Sequence, residues 1–425
     1  MIINIIHDKN QEINSLFWYN FFRTIGVWTN TYTLTAFQNK INHQEKYIYI
    51  ISEKELDYYK KENNFIYLLN QSSNSYKQEN LFHIRANNEK DYLEILNFIC
   101  SRFQIAELEQ KELIDLLNTF IKYKIWYILW IYQEVGIHDY KNYKPLSDNM
   151  LELIDKTKEE LNEKLSHQDN LLYTKFMYYQ LDSLSYYYKE GINNNMDSES
   201  EFHEKLMNFQ NDFWEDFKNS ECSSFHPRCY ELIGDSLSWS MTLNKFSPFK
   251  YINASKYVTS SNIKYKIASK RIYFYGYDEI AIAYLKKSYL IDKENFRAIY
   301  QLKKNMYINS PNEWIDAFHW CDIINNILKK YISEPEEFTS IIYIEYYLKN
   351  LKLMREIITK ENISFDEEII NIDTSIEKTY NKIINENLYE HILNSMAING
   401  KRNMEEEEYI KELTREKVKN FLKII

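Results

Sequence analysis

The chain has 425 residues, a formal charge of −10 at pH 7 and 16% aromatic residues, with 38 tyrosines among them. That length allows two or three domains with sizeable cores, and the acidic balance argues against a protein whose affinity rests on neutralising nucleic-acid phosphates. Four scattered cysteines, Cys100, Cys222, Cys229 and Cys321, do not suggest a disulfide framework and make a reducing cytoplasm the expected location.

The opening MIINIIHDKN has no basic leader and only a short apolar run, so it reads as a first strand and not as a signal peptide. Ile2 to Ile6 suits a buried strand. Gln11 to Thr24 places Ile13, Leu16, Phe17 and Phe21 at helical spacing, and Gly26 ends that helix. Strand patterns recur at Trp28 to Phe37, Tyr47 to Ile51, Phe65 to Leu69 and Leu81 to Ile84, with helices expected at Glu53 to Lys61 and Glu89 to Phe103. Strands separated by helices predict a small, mostly parallel sheet of flavodoxin-like type over residues 1–105.

From residue 106 to 425 the expectation is all-α. Glu107 to Val135 reads as one long helix, interrupted by Lys122, Lys124 and Glu134 and therefore not a membrane span. A polar connection at His138 to Asn149 follows. Leu151 to Leu165 and Leu171 to Tyr188 suit a helical hairpin, Gly191 to Ser200 a loop, and Glu201 to Asn219 and Pro227 to Leu243 further helices. Glu337 to Glu361 and Glu405 to Ile425 complete the pattern, the last with charge on one face and Ile410, Leu413, Val418, Phe421 and Leu422 on the other, as in a terminal cap.

The stretch YDEIAIAYLKKSYLIDKENFRAIYQLK, Tyr277 to Lys303, places small residues at Ala281 and Ser288 beside large ones at Leu285 and Tyr289. Small residues let a neighbouring helix approach, and large ones fill the space beside them. Asp292 to Asn295 breaks one helix and caps the next, and Ala317 stands 36 residues after Ala281. This spacing resembles a tetratricopeptide (TPR) repeat, whose period is about 34 residues. The resemblance implies a TPR-like solenoid of paired helices with a concave, peptide-binding groove. On it, Arg297, Tyr300, Lys304 and Tyr307 would line the groove and take an extended peptide with acidic groups or a free carboxylate.

In an open α/β sheet, ligands bind beyond the carboxyl ends of the strands. No G-x-G-x-x-G or Walker A loop occurs here, and the third strand ends in Ser52 where a receiver domain would need an aspartate. The line IYIISEKELDYYKKE, with Ser52, Tyr58 and Glu62, resembles a shortened TIR domain. That resemblance covers about the first quarter of the chain. It implies that Glu62 steadies the oxocarbenium-like charge as the glycosidic bond of NAD breaks, with His7, Asp8 and Ser52 shaping the nucleotide pocket. The plain reading of Glu62 is a solvated residue in a charged run after Lys60 and Lys61.

Cys222, His226 and Cys229 offer three zinc-type ligands, but nothing nearby supplies the rest of a site. Pro227 more simply opens a helix with Cys229 turned inward, and no metal is expected. Together the two resemblances imply a cytoplasmic prokaryotic signalling or defence protein. Its TPR-like body senses a partner and its TIR-like head, through self-association, becomes an NAD glycohydrolase, with NAD as substrate and no tightly bound cofactor. The alternative is a non-enzymatic adaptor that binds a peptide or protein in the helical groove. Neither nucleic acid nor membrane is an expected partner.

Overall fold

A computed structural model gives the fold and describes residues 1–8, 12–37, 41–52, 62–70, 81–84, 89–126, 128–129, 148–167, 171–189, 196–217, 225–239, 243–309, 314–332 and 341–360. Among these, the chain divides into two compact units, Met1–Thr259 and a second that starts at Ser260. The boundary expected after residue 105 lies inside the first unit.

The first unit begins with five strands: β1 (Ile2–His7), β2 (Trp28–Thr33), β3 (Lys46–Ile51), β4 (Phe65–Asn70) and β5 (Leu81–Ile84). They form one sheet in the order β2-β1-β3-β4-β5, with every pairing parallel. This is the strand order of flavodoxin-type sheets. Alternation along the strands sorts the side chains. Ile3, Ile5, Ile48, Ile50, Ile66 and Leu68 are buried on one face. Ile6, Tyr47, Tyr49, Ile51, Phe65 and Tyr67 form a core on the other, with Tyr32, Leu34, Phe37 and Ile41 packed against it. Both faces are apolar, which explains why the strands read as near-continuous hydrophobic runs.

Helix α1 (Glu12–Thr24) connects β1 to β2 and ends at Gly26, whose φ of 83° lies in the left-handed region that glycine adopts without strain. A Cβ there would also meet the Phe225 ring at 2.3 Å. Its aromatic residues Phe17, Trp18, Phe21 and Phe22 are all buried, and Phe120 of α3 (Glu107–Lys122) stands edge-on to Phe17 and Phe21 at 5.6 and 5.4 Å. The sheet alone cannot cover so large an aromatic helix, so the helical segments complete its core. This is the physical reason that the sheet and the helices after it are one unit. Helices α2 (Glu89–Arg102), α4 (Asp148–His167), α5 (Leu172–Lys189), α6 (Met196–Phe217), α7 (Phe225–Trp239) and α8 (Ser247–Ala254) make up the rest.

Expected helices differ from what is seen at three places, and α6 starts at Met196, inside the stretch Gly191 to Ser200 expected as a loop. Instead of running to Val135, α3 stops at Lys122, and Lys124 takes a left-handed φ of 52°. The turn brings Trp126 into the aromatic cluster, 6.3 Å from Phe17. Helix α7 starts two residues before Pro227, and α8, which no expectation covered, opens with Pro248 in its first turn.

The second unit has α9 (Ser261–Tyr275), α10 (Glu279–Ile291), α11 (Phe296–Asn309), α12 (Trp314–Ile332) and α13 (Ile341–Lys360), each packed on the next. Side-chain caps start three of them. Ser260 Oγ accepts from Ile263 N–H, Asp278 from Ala281 N–H and Asn295 from Ala298 N–H. Ala281, Leu285, Ser288, Ala298 and Ala317 are fully buried. Ser261 and Ser288 exchange hydroxyl contacts at 2.9 Å, and Asn295 donates to both at 2.7 and 3.1 Å. Small polar side chains thus let α9 and α10 approach and satisfy one another's hydrogen bonds. The helices expected at Glu53 to Lys61 and Glu405 to Ile425 lie outside the described residues.

Candidate functional site

Sequence reasoning points to three places, and each builds up from its elements. The first is the carboxyl end of the sheet. Since β1 lies between β2 and β3, the chain reverses its direction of growth there, and the crevice beyond β1 and β3 is the topological switch point. Asp8 follows β1, and its Oδ2 accepts the Ser52 N–H at 2.8 Å, while its own N–H donates to Ile50 O at 3.1 Å. The buried His7 ring donates from Nδ1 to the Asp8 carbonyl at 2.8 Å. The structure therefore brings His7, Asp8 and Ser52 together. A carboxylate accepts only, so at a strand end it suits a ligand hydroxyl or amine.

Glu62 does not join them. It lies three residues before β4 begins, and Phe65 pairs with Tyr47 at the start of β3. That puts it at the amino end of the sheet, about 20 Å from Ser52 along six residues of β3. Its side chain is 42% exposed, with Oε2 3.6 Å from His43 Nδ1. Its carbonyl accepts from Phe65 N–H at 3.2 Å and Arg102 Nη2 at 3.4 Å. Beside it a cleft of about 270 Å³ is lined by Asn63, Phe98, Ser101, Arg102 and Gln104. The expected site of a glutamate acting within the His7, Asp8 and Ser52 pocket is not assembled. Tyr58 lies outside the described residues.

The third place is α11. Arg297 and Lys304 are half-buried at its surface, but Tyr307 is 3% exposed beneath Lys360, whose Nζ is 5.1 Å from the ring centre. Tyr300 stands edge-on to Tyr346 of α13 at 5.6 Å, and burial pushes its phenol up to about 12. Tyr265 and Tyr346 hydroxyls meet at 3.2 Å, and Tyr277 donates to Gln301 at 2.6 Å. The two tyrosines expected to line a groove are thus packing residues. The helix wheel identified a face without saying that α13 covers it.

The whole-chain charge hides another feature of this unit. Ser260 to Asn309 carries ten lysines and arginines against four aspartates and glutamates, a net of +6 within a chain of −10. Its outer side chains are mixed cationic and apolar. On α10, Lys286 and Lys287 are exposed beside Ile280 and Leu290, which are 50% and 63% exposed. At the end of α9, Tyr273 and Tyr275 are 73% and 67% exposed. Counting charge by segment finds this run.

For the zinc-type cluster, Cys229 is buried with its thiol pushed up by desolvation, and His226 packs against Tyr257 at 5.7 Å. Cys222 lies outside the described residues, among which no group of three or more His, Cys, Asp or Glu residues could hold a metal ion. No described helix is long and apolar enough to cross a membrane. No protein-family model, curated protein or solved structure matches the chain.

Proposed function

We propose that the chain is a partner-binding protein whose second unit captures an acidic segment of another protein, with no catalytic part for Glu62. The observation that carries this is the +6 run from Ser260 to Asn309. Lys264 and Lys287 lie over the Tyr284 ring at 5.7 and 5.5 Å, Lys293 over Tyr289 at 4.0 Å and Arg297 over Phe296 at 5.9 Å. A ring face holds a cation in place without cancelling its charge. Such cations steer an acidic partner and set its register, while the exposed Tyr273, Tyr275, Ile280 and Leu290 supply the apolar contact. The TPR-like spacing supports the same reading, and the signalling or defence setting is the one that the two resemblances together imply.

A glutamate-rich, tyrosine-containing probe peptide tests it, titrated against the full chain and two charge-reversed variants. Lys286→Glu with Lys287→Glu should weaken binding about tenfold or more at low salt, and Arg297→Glu with Lys304→Glu by less, because those two side chains are half-buried. Equal binding by all three proteins would refute the reading, as would a preference for a single-stranded oligonucleotide over the peptide.

Asp8 and Ser52 at the switch point favour a second reading, in which the first unit takes a nucleotide such as NAD. On that reading Asp8→Ala abolishes nucleotide binding, and any nicotinamide release survives Glu62→Ala. Release lost on Glu62→Ala would place the chemistry at the amino end instead.

A further inference from the structure

Lys303, on α11, is 1% exposed, and its Nζ lies 3.4 Å from Sγ of the fully buried Cys321 on α12. The thiol is its hydrogen-bond partner, the Tyr300 ring lies 5.0 Å away, and Asp322 acts on it only through space. Burying an ammonium without a carboxylate against it costs several kcal/mol, and a methionine would fill the same space without that cost. Packing therefore gives no reason for a lysine here. Burial lowers its pKa to about 8, and the same burial raises that of the thiol. At pH 7 about a tenth of the amine, far more than for an exposed lysine, carries its lone pair beside the sulfur.

We propose that Lys303 and Cys321 form a redox-responsive pair, closing a covalent N–O–S bridge between α11 and α12 when the protein meets peroxide. The neutral Lys303 amine takes the thiol proton, the thiolate attacks the first peroxide to give a sulfenic acid, and the hydroxide released regains the proton from the ammonium and leaves as water. A second peroxide oxidises the amine against that group. The sulfenic oxygen stays as the bridging atom, one O–N bond forms, and the sulfenic proton, one amine proton and the peroxide leave as two waters. Sulfur and nitrogen each give up two electrons, and each peroxide accepts two. A gap of 3.4 Å is one that a single bridging oxygen can span with a small approach of the two side chains. The bridge would staple neighbouring helices of the cationic unit, so it goes beyond partner binding and does not rest on it.

Peptide mapping of the full chain after exposure to hydrogen peroxide, without reductant, tests this. The expected product joins the Lys303 and Cys321 peptides and is about 14 Da heavier than their sum, one oxygen gained and two hydrogens lost. Trypsin no longer cleaves after Lys303, and dithiothreitol restores both peptides. Cys321→Ser and Lys303→Met each abolish the product, while Cys100 and Cys229, buried thiols in the first unit, remain unlinked. Wild-type protein in which Lys303 is still cleaved, with Cys321 recovered as a free thiol or a sulfinic acid, would overturn the proposal whether or not the variants fold.

Discussion

The two units weight the partners of their cations differently, although Arg23 and Lys122 of the first also lie over Tyr19 and Tyr123, and Arg271 of the second also pairs with Asp278. In the first, Arg23 and Arg228 are drawn inward onto one carboxylate, with Nη2 and Nη1 at 2.9 and 3.0 Å from the two oxygens of Glu231. Arg228 also donates through Nε to the Arg23 carbonyl at 3.1 Å, and so ties α7 to α1. Burial works against the charge on Arg23, but Glu231, Tyr19 and Asp235 together more than offset it and its pKa rises. Lys122 and Lys164 likewise converge on Glu160, at 2.8 and 3.0 Å. Burial raises the Glu160 pKa, but those partners, with Tyr123 and Thr119, bring it down to about 2. In the second unit, Lys264, Lys287 and Lys293 lie over rings. Carboxylates cancel charge and serve cohesion, whereas rings fix charge in place and leave it available to an outside partner.

Removing Glu231 should break the first half of that contrast most severely. Glu231→Ala leaves two buried guanidinium groups facing one another, so urea unfolding of the first unit should lose about 3–5 kcal/mol. A loss below about 1 kcal/mol would mean that the network does not hold α1 to α7.

A smaller effect sharpens the second half. Asp292 is one of the four acids in the cationic run, and burial raises its carboxyl to about 6 despite the N–H of Glu294. A raised folded pKa means that its contribution favours folding below the unfolded value, about 4, and is lost as pH rises through 6. Asp292→Asn keeps an acceptor for that N–H and should stabilise the second unit by about 1 kcal/mol at pH 7, with little change at pH 4. Denaturation at both pH values checks the sign.

Much of the fold was legible because periodicity reports burial directly. Both-face apolar runs gave the strands, and Ala281, Leu285, Ser288 and Ala317 lie in contact positions, as their spacing suggested. The break at Lys124 was not legible, because no glycine or proline marks it and the packing of Trp126 on Phe17 decides it. Glu62 was misplaced for a reason the sequence already contained. In a parallel sheet the chain returns to the amino edge before each strand, so a residue three before β4 cannot stand at the carboxyl edge. Helical spacing puts Tyr300 and Tyr307 on a groove face because it cannot tell that α13 packs there. A single net charge for the whole chain hides the cationic run.

The salt dependence of binding between the intact protein and the glutamate-rich peptide tests the central claim most directly. Affinity should fall steeply between about 50 and 500 mM salt, since the Debye length shrinks from roughly 14 to 4 Å over that range, and the Lys286→Glu, Lys287→Glu variant should lose most of that dependence. Binding that is absent at low salt, or that is insensitive to salt and unchanged in the variant, would contradict the account.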